Sequence, residues 1–172
     1  MRFNVAQLLK APVGANRQHE IEDHITGIDS DLEPVKPLVG KVRFLRTSDG
    51  ILVTGRLHTE VRVSCRRCLQ VFDVPVDFDL EEEFRPFLDV STGTVLSVGV
   101  GDNADTTIDS HHMLDLSEVV RQNLVLAIPM SPLCSSRCRG LCPSCGANLN
   151  AEPCTCRHQE GDPRLEALRE LL

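Results

Sequence analysis

Apolar and polar positions alternate through most of the stretch from Val42 to Leu80. Val42 and Phe44 alternate with Lys41, Arg43 and, after Leu45, Arg46, the period of two expected of a strand with one buried face. Ser48-Asp49-Gly50 then supplies turn residues for a hairpin. Ile51, Val53, Gly55, Leu57, Thr59, Val61 and Val63 share one side of a long second strand, with largely polar residues on the other. After Cys65 to Cys68, Val74, Val76, Phe78 and Leu80 alternate with Asp73, Pro75, Asp77, Asp79 and Glu81, which predicts a third, antiparallel strand.

Other segments follow different periods. Val5, Leu8 and Leu9 have helical spacing within Asn4 to Lys10, and Ala11-Pro12-Val13-Gly14 ends that short helix. Arg17 to Ile25 alternates weakly, as an edge strand does, and a turn-rich connection runs from Asp29 to Pro37. Ser91 to Asp105, with its strand-like piece Val95 to Val100, reads as a loop or short hairpin. Asp115 with Glu118 forms a capping box for a helix whose stripe is Leu116, Val119, Val120, Leu124, Ala127 and Ile128, stopped by Pro129. A last helix is predicted from Asp162 and Pro163, with Leu165, Leu168 and Leu172 on one face.

Composition narrows the class. A chain of 172 residues suits one main core with a small appendage, and with no Trp, no Tyr and six Phe that core must be aliphatic. No apolar run approaches the roughly 18 to 20 residues of a membrane span, and Met1-Arg2-Phe3-Asn4 lacks the apolar region of a signal peptide, so a cytoplasmic protein is expected. The net charge of -7 is unevenly distributed: Lys36 to Cys68 has eight Lys and Arg against two acids, and Leu69 to Val120 has twelve acids against one Arg. A basic stretch of this kind can attract phosphate or an acidic protein surface. It can equally pair with the acidic outward row of the next strand.

The eight cysteines carry the candidate chemistry. They fall in four close pairs: Cys65 with Cys68, Cys134 with Cys138, Cys142 with Cys145, and Cys154 with Cys156. Two such pairs complete a tetrahedral shell of thiolates around zinc, so eight ligands make two closed sites and imply two zinc ions. Leu141-Cys142-Pro143-Ser144-Cys145-Gly146 has the form of a zinc knuckle, with Gly146 available for the positive φ that turns backbone N–H groups toward sulfur. Disulfides are disfavoured in a cytosolic chain. A redox role for Cys65-Arg66-Arg67-Cys68 would draw on its two arginines, but the motif ends a strand instead of opening a helix. An iron–sulfur cluster would use the same four thiolates. Proximity along the chain groups Cys142, Cys145, Cys154 and Cys156, leaving Cys65, Cys68, Cys134 and Cys138; spacing also allows the consecutive run Cys134, Cys138, Cys142 and Cys145. His158, two residues beyond Cys156, could replace a cysteine, yet it reads, like His111 and His112, as an exposed side chain.

The predicted fold is therefore α+β: an antiparallel sheet with helices on one face and a C-terminal zinc-bound lobe. Residues 1-130 would form the sheet domain and 131-172 the cysteine-rich lobe packed on it. No phosphate loop, nucleophile elbow or His-Glu-x-x-His motif is present, and the acidic clusters lack a companion His or Ser. Neither catalysis nor a small-molecule substrate is expected.

Three separated blocks resemble one family. Leu8-Leu9-Lys10-Ala11-Pro12-Val13-Gly14 with Arg17, the central Cys65-Arg66-Arg67-Cys68-Leu69, and Pro129 to Asn150 together look like the YceD family, described as large ribosomal RNA subunit accumulation proteins. The resemblance implies a non-catalytic factor in the maturation or accumulation of large-subunit ribosomal RNA, acting on ribosomal RNA or a pre-ribosomal particle. The rival expectation is a zinc-stabilised adaptor for a ribosomal protein, consistent with the absence of Trp and Tyr for base stacking. For RNA, the expected contacts are Arg43, Arg56, Arg62, Arg66, Arg67, Arg137 and Arg139, the first three on strands and the others beside cysteines.

Overall fold

The computed structural model of the chain describes residues 1–25, 33–96 and 104–156. It divides into two compact units. The first comprises Met1–Val63 and Phe72–Met130; the second joins Ser64–Val71 to the segment from Ser131 onward. The Cys65 to Cys68 turn thus belongs with the late cysteines and not with the sheet whose strands it connects.

The strands are β1 (Arg2–Asn4), β2 (Asn16–Asp23), β3 (Glu33–Pro34), β4 (Leu38–Arg46), β5 (Ile51–Ser64), β6 (Val71–Pro86), β7 (Thr107–Ile108) and β8 (Met113–Asp115). The helices are α1 (Ala6–Lys10) and α2 (Ser117–Ala127). A six-stranded sheet has the order β2-β4-β5-β6-β7, with β3 also pairing β5, and β1 pairs β8 separately. The sheet is mixed, because β7 runs parallel to β6 whereas β2–β4 and β4–β5 are antiparallel.

The β4–β5 hairpin is where the alternation places it, with Arg46 opposite Ile51. Gly50 is needed there for space, since a Cβ at this position would lie 2.0 Å from the Phe84 carbonyl oxygen. Arg46 closes the turn from its side chain, its Nη1 donating to the Thr47 carbonyl at 2.6 Å and the Gly50 carbonyl at 2.9 Å. On β5 the inward row Ile51, Val53, Leu57, Thr59, Val61 and Val63 is buried. Thr59 is satisfied there by donating from its hydroxyl to the Lys36 carbonyl at 2.8 Å.

The third strand extends past its predicted end at Glu81 to Pro86, and Phe84 is fully buried. Leu8 and Leu9 of α1 and Val119, Val120 and Leu124 of α2 join the same core cluster as the strands. The capping box does not form. Asp115 Oδ1 accepts from the Ser117 N–H at 2.9 Å and Asp115 Oδ2 from Arg2 Nε at 2.8 Å, while Glu118 is taken by Arg121 and Gln122 one turn further on. Burial pushes the Asp115 carboxyl upward, but the bonds from Ser117 and Arg2 outweigh it and hold the group well below the usual carboxylate range. Residues 89–96 form a tight hairpin, with the Asp89 N–H donating to the Thr94 carbonyl at 2.9 Å. The rest of the predicted Val95 to Val100 piece, the last helix, His158 and part of the Asp29 to Pro37 connection lie outside the described residues.

Candidate metal centre

Eight thiols gather into two groups, both within the second unit. Cys65, Cys68, Cys134 and Cys138 form one and Cys142, Cys145, Cys154 and Cys156 the other, with the ligand atoms of each group all within 4.8 Å of one another. The consecutive grouping of Cys134 to Cys145 is not adopted. Sulfur separations are 3.8 Å for Cys65–Cys138, 3.6 Å for Cys68–Cys134, 3.5 Å for Cys145–Cys154 and 3.4 Å for Cys142–Cys154. A disulfide would bring two of them to about 2.05 Å. Metal–sulfur bonds of about 2.3 Å in a tetrahedron give edges of about 3.8 Å, close to what is found. A multi-iron cluster has to fit metal and sulfide inside its thiolate shell and spreads it, so each of these groups has room for a single ion.

The Cys65–Cys68 and Cys142–Cys145 turns are built alike. The Leu69 N–H donates to the Cys65 carbonyl and the Gly146 N–H to the Cys142 carbonyl, each at 2.9 Å. The Cys65 N–H reaches the Gln70 carbonyl at 2.9 Å, and the Cys142 N–H the Ala147 carbonyl at 2.8 Å. In both turns the residue after the second cysteine is left-handed, with φ of 73° at Gly146 and 59° at Leu69. This curl aims backbone N–H groups at sulfur, as in the 3.4 Å contact from the Ser144 N–H to Cys142. The Cys65–Cys68 turn therefore places a leucine, 65% exposed, where its twin has glycine. A leucine held there costs about 1–2 kcal/mol. Metal retention is accordingly expected to follow Leu69→Gly at or above the parent, and Leu69→Val below it, because a β-branched residue tolerates positive φ least. Competition with a chelator measures the order, and Leu69→Val equal to the Gly variant would refute the assigned strain.

The same N–H groups shape the thiol chemistry. The N–H of Cys134, with those of Cys68 and Arg67, holds the Cys65 thiol down to about 6 against the effect of burial. The N–H groups of Cys145 and Ser144 bring Cys142 down to about 6 in the same way. Cys134 is pushed up to about 12 by its contact with Cys68 and by burial, and Cys156 up to about 12 by Cys154 and Cys145. In the first group Cys138 is lowered as well as Cys65, and Cys68 raised as well as Cys134; in the second Cys154 is raised beside Cys156, so in each group neighbouring thiols are pushed in opposite directions.

Of the seven arginines, Arg62 donates from Nε to Asp73 at 2.9 Å and from Nη1 to Glu33 at 3.4 Å, and Arg56 faces Asp79 at 4.0 Å. With His58 Nδ1 lying 3.0 Å from Asp77 Oδ1, these contacts descend β6 as they climb β5, an antiparallel register in which the basic strand is balanced by the acidic one. Arg43 is exposed on β4, opposite Thr54 and Gln18. Arg67 is structural in part, donating from Nη1 to the Cys138 carbonyl at 3.0 Å. Arg66, Arg137 and Arg139 are exposed, and each adjoins in sequence a cysteine of the first group.

Two features of the site were not singled out from the sequence. Gly140, with φ of 77°, lies so close to the Cys65–Cys68 turn that a Cβ would be 3.1 Å from the Arg67 carbonyl, to which the Leu141 N–H donates. Asn150 donates from Nδ2 to Cys138 Sγ at 3.3 Å. Asn148 and Asn150, two asparagines two positions apart in a turn among cysteines, are the signal that could have marked it.

A mixed sheet carrying a separate unit organised by two groups of four cysteines defines the class: a β-rich protein with two candidate metal centres. The family model for large ribosomal RNA subunit accumulation protein YceD matches residues 53–172, and the chain belongs to the YceD family. An uncharacterized protein of Mycobacterium tuberculosis is 35% identical over 131 residues, which cover 76% of this chain and 60% of the relative, so the match spans about three-fifths of that protein. The large ribosomal RNA subunit accumulation protein YCED homolog 1, chloroplastic, of Arabidopsis thaliana is 41% identical over 49 residues, covering 28% of this chain and 15% of its own length. The uncharacterized protein YlbN of Bacillus subtilis is 25% identical over 175 residues, covering 100% of this chain and 96% of its own. No solved structure gives a significant match.

Proposed function

We propose that this chain is a non-catalytic, cytoplasmic factor that supports the maturation or accumulation of large-subunit ribosomal RNA, with two zinc ions organising the unit that binds it. The family supplies the biological setting, and the donor set supports zinc: four thiolates per site, spaced for one tetrahedral ion, with no open position for a water nucleophile. Zinc would tie Ser64–Val71 to the segment after Met130, the part of the chain expected to form the lobe. Among the described residues no helix is long and apolar enough to cross a membrane.

The observation that carries the RNA reading is the display of Arg66, Arg137 and Arg139 around one four-cysteine group. A divalent ion with four thiolates keeps a net charge of about −2, so cationic neighbours also favour the filled site. All three side chains are exposed, and a metal-held backbone lowers the ordering cost of binding phosphate. Arg56 and Arg62 contribute less, since the acids of β6 and Glu33 compete for them.

Salt titration of binding to large-subunit ribosomal RNA fragments is the test. Arg66→Glu with Arg137→Glu and Arg139→Glu is expected to weaken association and to reduce the slope of log K against log salt by about 2–3, at 0.7–0.9 per phosphate lost. The zinc stoichiometry should be retained, with affinity lowered by the loss of the cationic neighbours. RNA binding unchanged in strength and slope would refute the RNA contact and shift the reading to an adaptor for a ribosomal protein.

A further inference from the structure

The two cysteine groups differ in exposure. In the first, Cys65, Cys68 and Cys138 are buried and Cys134 is half-buried; in the second only Cys142 is buried, and Cys145 is exposed. An ion in the second group is therefore the more accessible to competing ligands. The residues between Cys145 and Cys154 form a loop that a metal in that second group would close, and Asn150 lies on this loop.

Every polar group of the Asn150 side chain is engaged. Nδ2 donates to Cys138 Sγ at 3.3 Å and to Asn148 Oδ1 at 2.8 Å, and Oδ1 accepts from the Arg139 N–H at 2.7 Å. The Asn150 N–H also donates to Asn148 Oδ1, at 3.0 Å. The loop is set against the strand-like run between the two groups: Leu141 bridges Asn148, and the Leu149 N–H donates to the Gly140 carbonyl at 2.9 Å. A side chain positioned by the closure of one group thus makes a hydrogen bond to a thiolate of the other.

We propose that Asn150 couples the two metal sites, as a positioning residue carried on the loop closed by the second site and hydrogen-bonded to Cys138 of the first. This rests on the two-metal reading above. Outer-shell hydrogen bonds of this kind change metal affinity by about 10–100-fold, because they fix a ligand's orientation and spread its negative charge. Loading the second site orders the loop and presents the amide to Cys138. By linkage, loading the first site favours closure of the second by the same factor. Stripping the exposed second site would then loosen the buried one, so the cysteine-rich unit gains and loses its two ions together.

The test is a double-mutant cycle on the full chain, with zinc affinity of the first site measured by chelator competition and site occupancy identified by cadmium NMR. The variants are Asn150→Ala, Cys145→Ser with Cys156→Ser, and all three together. Each of the first two is expected to lower first-site affinity about tenfold or more. The combined variant should fall no further than the cysteine double variant alone. Effects that multiply, or an Asn150→Ala protein with parental first-site affinity, would overturn the coupling. The fully loaded parent gives a second readout that needs no variant: scalar coupling between the Asn150 amide protons and cadmium in the first site, transmitted through the N–H···S bond, and its absence would also overturn the proposal. Metal stoichiometry separates the two levels, since a parent chain binding fewer than two ions defeats the two-metal reading itself, whereas two ions bound independently defeat only the coupling.

Discussion

Removing the metal is expected to unfold the cysteine-rich unit while the sheet unit remains folded. The reason lies in what each unit buries. The aliphatic and aromatic core cluster runs through the first unit alone, and in the described part of the second the buried apolar side chains are Cys65, Cys68, Cys138 and Cys142. Thiol groups at metal-ligand spacing are thus the interior of this unit, and without an ion they repel as thiolates or crowd as thiols. Structural zinc contributes about 10–16 kcal/mol at neutral pH in small domains of this type, more than such a unit can recover from packing. The expected result is about two zinc ions per chain in protein never exposed to chelator or oxidant. After chelation under reducing conditions, trypsin should cut rapidly at Arg137 and Arg139 while β-sheet circular dichroism persists. Cys145→Ser should expose the segment beyond Cys142 in the same way. A metal-free chain as protease-resistant as the parent would show that the unit has another source of stability.

Phe84→Ala is expected to cost the sheet unit about 3–5 kcal/mol, the range for deleting a buried phenyl ring. Phe84 is fully buried, and the carbonyl of the same residue packs so tightly on Gly50 that the hairpin turn has no room for a side chain. The packed interior cannot easily collapse into the space left by the ring. Since small domains are stable by roughly 5–15 kcal/mol, a large share of the total is at stake. Urea unfolding followed by circular dichroism measures it as a fall in midpoint at unchanged slope. A loss below about 1 kcal/mol would contradict the placement of Phe84 in the core.

That residue also shows where local pattern stopped being readable. Leu80, Glu82 and Phe84 share one side of β6, but Glu81-Glu82-Glu83 interrupts the apolar alternation, so the pattern ends before the strand does. Glu82 is only half-buried, which the sheet tolerates near its edge. The strands β1, β7 and β8 have two or three residues each, too few to express any period, and exist through their partners. Asp115 and Glu118 do not form the reciprocal box that the spacing suggested, because Asp115 ends β8 and divides its carboxylate between the Ser117 N–H and Arg2, while Glu118 turns to Arg121 and Gln122. In contrast β4 and β5 were legible almost residue by residue, as each is long, half-buried and joined by turn chemistry that fixes its register.

The amino-acid sequence by itself determined the long strands, the helical stripe of α2, the four cysteine pairs and the need for Gly146 after the late knuckle, because each depends on geometry within a few residues. Only the tertiary structure decided which pairs meet: Cys65 faces Cys138 across 73 positions and Cys68 faces Cys134 across 66, separations at which spacing fixes nothing. It likewise decided that Arg62 answers Asp73 and Glu33, that Leu69 takes a glycine-like conformation, and that Asn150 reaches a sulfur of the other site. The physical reason is common to all of them. Local periodicity reports which side of an element is buried, whereas the identity of a contact depends on where the chain returns, and that is set by the packing and metal-ligand geometry of the folded molecule as a whole.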